Sequence, residues 1–415
     1  MGRSSFLRGL VFATVVSLTG AMTLPAAAEP TEETTGSAAG AAGAAQTSTT
    51  LPLVYDTSRG GGVYGPTMSV DAGFDFYQHG GRPEMFAAMR RRGITAVRIV
   101  DTGWMDGQAH RELTDEVRAA GLVPVLCMFP PTHQGLYGLH PEWRQLMLGG
   151  VDGKWDWRTY LCPSRPEVRA VLAEETVAAL QAGNYAGLQI AEPWFEQWGG
   201  PETDDGKPRA GYACVCEVCR ARFAKASGGV DAREMLTKKE SPHYWSKPAN
   251  AKLYNLWQDL RVDAVTSMTV EIAREARRAM PGTVINVMFL SDARVEPGKV
   301  REYMAIDFGR LIKEVQPEIV CVQDAWQDWT RPKLNPNFIA DYGKLYSENF
   351  RQMKPDLWLM SHADIGSTAA SKREWPWIQQ FAKESLTAGF NAPSFYEWSV
   401  TVINEPDNPA VGSTQ

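Results

Sequence analysis

Three carboxylates in aromatic settings and a tight cluster of thiols are the residues whose types and spacing could do chemistry. Glu192 follows the apolar run Gly187-Leu-Gln-Ile-Ala191 and precedes Pro193-Trp194-Phe195. A carboxyl group desolvated in that way keeps its proton closer to neutral pH, as a general acid must. Glu397 lies in Ser394-Phe-Tyr-Glu-Trp-Ser399, where a charge is costly unless paired or used. Asp364 follows His362-Ala363 and is the third candidate. Two carboxyl groups flanking a sugar ring are the standard means of hydrolysing a glycosidic bond, one handling the leaving-group proton and the other the attack. Plainer readings exist for both glutamates. Glu192 could form a buried ion pair with a residue such as Arg98, and Glu397 could be a rim carboxylate bonded to Tyr or Arg.

The thiols offer different chemistry. Cys214-Val-Cys216-Glu-Val-Cys219 packs three cysteines into six residues. They can converge on one tetrahedral ion, with Cys162 as a fourth ligand, and a zinc held by four thiolates has no open position, so its role is structural. Disulfides are the alternative in an exported chain with six cysteines, although a C-x-C bridge strains the geometry. Cys127 and Cys321 fall in different expected strands and read as buried apolar thiols. The histidines (His79, His110, His133, His140, His243 and His362) lack the H-E-x-x-H spacing of a catalytic zinc site.

These residues sit within a regular alternation. Strands are expected at Thr67–Phe76, Ala96–Thr102, Val123–Phe129, Ala186–Glu192, Thr283–Phe289, Glu318–Val322, Leu357–Ser361 and Ser394–Trp398. Helices are expected at Arg82–Arg92, Arg111–Ala120, Arg165–Ala182, Lys252–Met280, Lys299–Val315, Asn337–Met353 and Lys372–Ala388, with Gly or Pro closing most of them. Eight strands separated by helices predict a parallel (β/α)8 barrel, in which reactive groups gather at the C-terminal strand ends. Arg98, Trp104, Trp194, Asp324, Trp326, His362, Tyr396 and Trp398 stand at or near those ends and are the expected substrate contacts. Arg98 is the expected cation that orients a carboxylate.

Met1–Ala28 carries Arg3 and Arg8, an apolar run from Leu10 to Val16, and Ala26-Ala27-Ala28, the pattern of a secretory signal peptide. Residues 29–50 lack large apolar side chains and read as a flexible linker, leaving 51–415 for the barrel. A secreted or periplasmic location follows. No stretch is long and apolar enough for a membrane helix. The net charge of −6 and a pI near 5.7 argue against nucleic acid or an anionic membrane as partner. Fourteen tryptophans, several beside strand ends, suit a sugar-stacking cleft.

Several stretches resemble the family 42 glycoside hydrolases, the β-galactosidases of the retaining (β/α)8 superfamily. They are Tyr160-Leu-Cys162-Pro-Ser-Arg-Pro-Glu-Val-Arg169, Gly187-Leu-Gln-Ile-Ala-Glu192, the cysteine segment continuing to Phe223, Ala96-Val-Arg98-Ile99 and Phe395-Tyr-Glu-Trp398. The resemblance implies Glu192 as general acid/base and Cys162, Cys214, Cys216 and Cys219 as zinc ligands. The family has Asn where this chain has Ala191, and a nucleophilic Glu ending strand seven where this chain continues Met360-Ser361. The second carboxylate is therefore expected at Glu397 or Asp364. The resulting expectation is a glycoside hydrolase acting on a poly- or oligosaccharide. The alternative is a carbohydrate-binding barrel without catalysis.

Overall fold

Short β-branched runs bounded by glycine, proline or asparagine are too brief for helices and form strands when buried on both faces. The computed structural model describes residues 50–51, 62–78, 81–155, 157–196, 201–203, 205–291, 298–367 and 372–399. The expected signal peptide, the linker up to residue 49 and His79 lie outside the described residues. Eight strands form the barrel: β1 Thr67–Asp71, β2 Ala96–Asp101, β3 Val123–Met128, β4 Gly187–Ala191, β5 Val284–Leu290, β6 Ile319–Gln323, β7 Trp358–Asp364 and β8 Ala392–Tyr396. Each pairs in parallel with the next, and Thr67 pairs with Ser394 to close the ring.

Seven helices return the chain between successive strands: α1 Arg82–Arg91, α2 Gly107–Ala119, α3 Pro166–Gly183, α4 Ala251–Ala279, α5 Phe308–Val315, α6 Ile339–Met353 and α7 Trp375–Thr387. This is the expected (β/α)8 barrel. Among the described residues no helix is long and apolar enough to cross a membrane.

Strand alternation divides the core in two. Met68, Val70, Val97, Ile99, Leu188, Ile190, Val320 and Val322 point outward and pack with the helices. Ala96, Val100, Val125, Cys127, Ala191, Met288, Ile319, Cys321, Trp358 and Met360 form a separate cluster that fills the barrel. The two lone cysteines, Cys127 and Cys321, are thus buried free thiols, as expected.

Some boundaries differ from the expected ones for local reasons. β1 ends at Asp71, because the chain turns at Gly73 and enters a short helix at Asp75–Gln78. The helix expected over 299–315 is two helices, Lys299–Met304 and α5, broken where Ala305 adopts φ 63°. α2 starts earlier than expected, since the Asp106 carboxylate caps the amides of Gln108 and Ala109. Two insertions complete the fold. A hairpin of Lys154–Trp155 and Arg158–Thr159 lies between β3 and α3. A thiol-bearing segment with helices Glu217–Ser227 and Ala232–Thr237 lies between β4 and α4.

α6 and α7 approach closely through a glycine. A Cβ at Gly343 would lie 2.1 Å from the Ala388 carbonyl oxygen and 2.8 Å from its Cβ. Gly343→Ala should therefore destabilise the protein by about 1–3 kcal/mol. Urea unfolding measures this, with an unchanged midpoint as the contrary result.

Candidate active site and thiol cluster

Glu192 occupies the first position after β4, where strict alternation would turn its side chain outward towards the helices. Its φ of 51° places it in the left-handed region and reverses that direction. A non-glycine residue pays about 1–3 kcal/mol for such a conformation, so surrounding contacts must hold it. Gln323, at the inward-facing end of β6, donates from Nε2 to Glu192 Oε1 at 2.8 Å. The other carboxylate oxygen forms an ion pair with Arg158 of the hairpin. Burial alone would lower the Arg158 pKa, but the Glu192 charge and the Tyr160 phenol, each also hydrogen-bonded to it, together offset that and hold its pKa above the usual value. The guanidinium is enclosed by the rings of Trp157, Trp194 and Phe129 at 4.8, 5.4 and 5.8 Å from their centroids. The Tyr160 phenol meets both Arg158 and Glu196.

Glu397 is fully buried just past β8. One oxygen accepts from the Tyr77 hydroxyl and, at 3.2 Å, from the Asp71 amide. The other accepts from the Ser399 hydroxyl and, at 2.8 Å, from the Ser399 amide. Burial raises its pKa to about 7, against the lowering effect of those donors. Asp364 closes its own turn, accepting from the amides of Gly366 and Ser367 at 2.9 Å and from the Ser367 hydroxyl. Asp324 accepts the Asp364 amide at 3.1–3.2 Å, and burial followed by the nearby Asp364 charge pushes its pKa well up. It caps the end of β7 from the outer side of the barrel.

The expected partner for a carboxylate, Arg98, is placed elsewhere. Its guanidinium is buried in the barrel, donating to Gln189 Oε1 at 3.1 Å and to the Phe395 carbonyl at 2.8 Å. Arg158 holds Glu192 instead, a residue on an insertion whose pairing no strand pattern reveals. His362 lies deep in the same interior, where burial and then the Arg98 charge drive its pKa well down. Trp194 and Trp398 are both buried, the first under Arg158 and the second near Arg92 in the outer core, so neither presents a face to solvent. Trp104 and Trp326 are exposed, and Tyr396 is half-buried at the barrel mouth.

One carboxylate went unnamed in the sequence. Asp71 ends β1, in register with the inward-facing Val100. Its own carboxylate has a 3.2 Å bond to the Gly73 amide and remains partly exposed. Burial, partly offset by that bond, raises its pKa to about 6. Its place in the polar alternation Thr67, Ser69, Asp71, between the apolar Met68 and Val70, was the available signal.

Below the hairpin, the sulfur atoms of Cys162, Cys214, Cys216 and Cys219 lie within 4.8 Å of one another, and all four are buried. Cys162 is 3.5 Å from Cys219 and 3.6 Å from Cys216, so these are free thiols and not disulfides. Four sulfurs about 2.3 Å from a tetrahedral ion stand roughly 3.8 Å apart, which the observed spacing fits. The Leu146 amide donates to Cys214 Sγ at 3.3 Å, as it would to a thiolate. The cluster could hold a metal ion.

Comparisons with solved structures support the fold. A β-galactosidase from the psychrophilic Marinomonas ef1 superposes with a TM-score of 0.56 at 15% identity, covering 80% of this chain and 54% of that one. The β-galactosidase from the Antarctic haloarchaeon Halorubrum lacusprofundi gives 0.57 at 14% identity, covering 80% and 52%. A catalytic mutant of a GH42 β-galactosidase from G. stearothermophilus gives 0.55 at 13% identity, covering 81% and 51%. This chain therefore spans about half the length of those proteins. No family model matches the chain, and no curated protein matches it.

Two measurements follow. The purified protein should carry about one metal ion per chain, and Cys216→Ser should lower both the metal content and Tm. Full occupancy in that variant, or none in the parent, would contradict a four-thiolate site. Glu397 titrates near 4.5 when unfolded and near 7 when folded. Its contribution to stability is complete below about pH 4.5 and is lost as pH rises through 7. Glu397→Gln should accordingly flatten the fall in Tm between pH 5 and 8.

Proposed function

We propose that this chain is an exported glycoside hydrolase acting on a carbohydrate at the C-terminal mouth of the barrel. The supporting observation is Glu192, which a left-handed backbone turns towards Gln323 and Arg158 at the end of β4. Asp71 stands three strands round the ring. The fold likeness to β-galactosidases adds support, since reactive groups of such barrels gather at this face. The leader-like first 28 residues support export. The thiol cluster is a structural zinc site in this reading, because four thiolates leave no position for water.

The division of labour follows from the partners of each carboxylate. Glu192, expected from the sequence as the general acid/base, faces a guanidinium, and in this reading that contact suits it to the base or nucleophile role and not to donating the proton. Asp71, with a pKa near 6, carries the proton for the leaving oxygen. In this reading the two partners expected from the sequence, Glu397 and Asp364, serve as braces: each is tied into its own turn, Glu397 by the Ser399 amide and hydroxyl and Asp364 by the amides of Gly366 and Ser367 and the Ser367 hydroxyl.

Glu192→Gln preserves shape and removes the charge. It should lower kcat by at least about a thousandfold on any substrate the parent cleaves in a polysaccharide screen read by reducing-end release. Undiminished hydrolysis would exclude Glu192 from the chemistry. Activity should fall as pH rises through about 6, where Asp71 loses its proton. Asp71→Asn should abolish that limb, and should slow activated aryl glycosides less than natural linkages because their leaving groups need no proton.

A further inference from the structure

The hairpin that delivers Arg158 also carries two open tryptophans. Trp155 is 65% exposed and Trp157 39% exposed. Trp155 pairs directly with Arg158 across the hairpin, which puts both side chains on one face. The Trp157 ring sits 4.8 Å from the Arg158 guanidinium and edge-on to Phe129 at 5.5 Å, fixing the turn against the end of β3. The Trp157 indole is therefore held in place beside Arg158, and Trp155 shares the face of its cross-strand partner Arg158.

A third indole flanks the opposite acid. Trp104 is 41% exposed and lies over Gly73, where a Cβ would come 3.6 Å from the ring and 3.3 Å from Asp71 Oδ1. Any side chain there would fill the space between indole and carboxylate. Single exposed apolar residues need no explanation, but these three contact the immediate neighbours of both proposed reacting groups. An indole offers a broad apolar face at low entropic cost, and the C–H face of a sugar ring can cover it while its hydroxyls stay hydrated. The surrounding groups are charged, so a wholly apolar ligand would leave them unsolvated.

We propose that the mouth is an open cleft with indoles at both ends, Trp155 and Trp157 on one side and Trp104 on the other, which binds an extended neutral polysaccharide and presents an internal bond for cleavage. The neutral chain follows from the net charge of −6, which disfavours acidic polymers. The cleavage half rests on the hydrolase reading above; the binding half rests on the indoles alone.

The two halves are tested separately. Binding is read by affinity electrophoresis of the Glu192→Gln protein in gels cast with xylan, mannan, galactan or mixed-linkage glucan. At least one polymer should retard it, with at least tenfold weaker binding after Trp155→Ala and Trp157→Ala together, and at least threefold weaker after Trp104→Ala. Trp155→Phe should stay within threefold of its parent, separating a lost stacking face from a disturbed fold. Retardation by no polymer, or by one that the alanine variants bind equally well, overturns the cleft. For the active protein on the polymer so identified, viscosity should fall before many reducing ends appear. Monosaccharide release without a viscosity drop overturns internal cleavage. Binding without any hydrolysis leaves the cleft standing and removes the hydrolase reading.

Discussion

The mouth of the barrel is organised by one buried ion pair, between Glu192 and Arg158. Removing either partner of such a pair leaves an uncompensated charge, at a cost of about 3–5 kcal/mol. The pair links β4 to an insertion that follows β3 and, through Gln323, to β6. It also supplies the contact that justifies the left-handed backbone at Glu192.

The thiol cluster acts on the same two insertions. Cys162 stands four residues beyond Arg158, while Cys214, Cys216 and Cys219 belong to the segment after β4. Gathering their sulfurs within 4.8 Å ties the two insertions together at the base of the mouth. The bridge between Thr132 and Tyr160 then fixes the hairpin to the end of β3. The cluster and the ion pair thus hold the two insertions at two points, a preorganisation that a site built on insertions requires.

The barrel itself was legible in the sequence because its signal is periodic. Eight apolar runs separated by amphipathic segments give the same ring that closes in space, with errors of a few residues where Gly73 or Ala305 turns the chain. The cysteine cluster was legible for a related reason, since close spacing forces proximity. The pairing of carboxylates was not. Glu192 depends on a φ sign that no residue type announces, and its partner Arg158 begins the second strand of a hairpin whose strands are only two residues long. Asp71 was hidden because the strand was read as running on to Phe76, which moved its C-terminal end past the acid. Trp194 and Trp398 stand close to acids in sequence, which suggests sugar contacts, but both are buried, Trp194 under Arg158 and Trp398 near Arg92 in the outer core.

A crystal structure of the Glu192→Gln protein with an uncleaved oligosaccharide tests the account most directly. The account predicts a glycosidic oxygen held between residue 192 and the Asp71 carboxylate, with Arg158 against the bound sugar. A ligand seated away from both residues, or one whose scissile oxygen lies against Glu397 or Asp364, would contradict it.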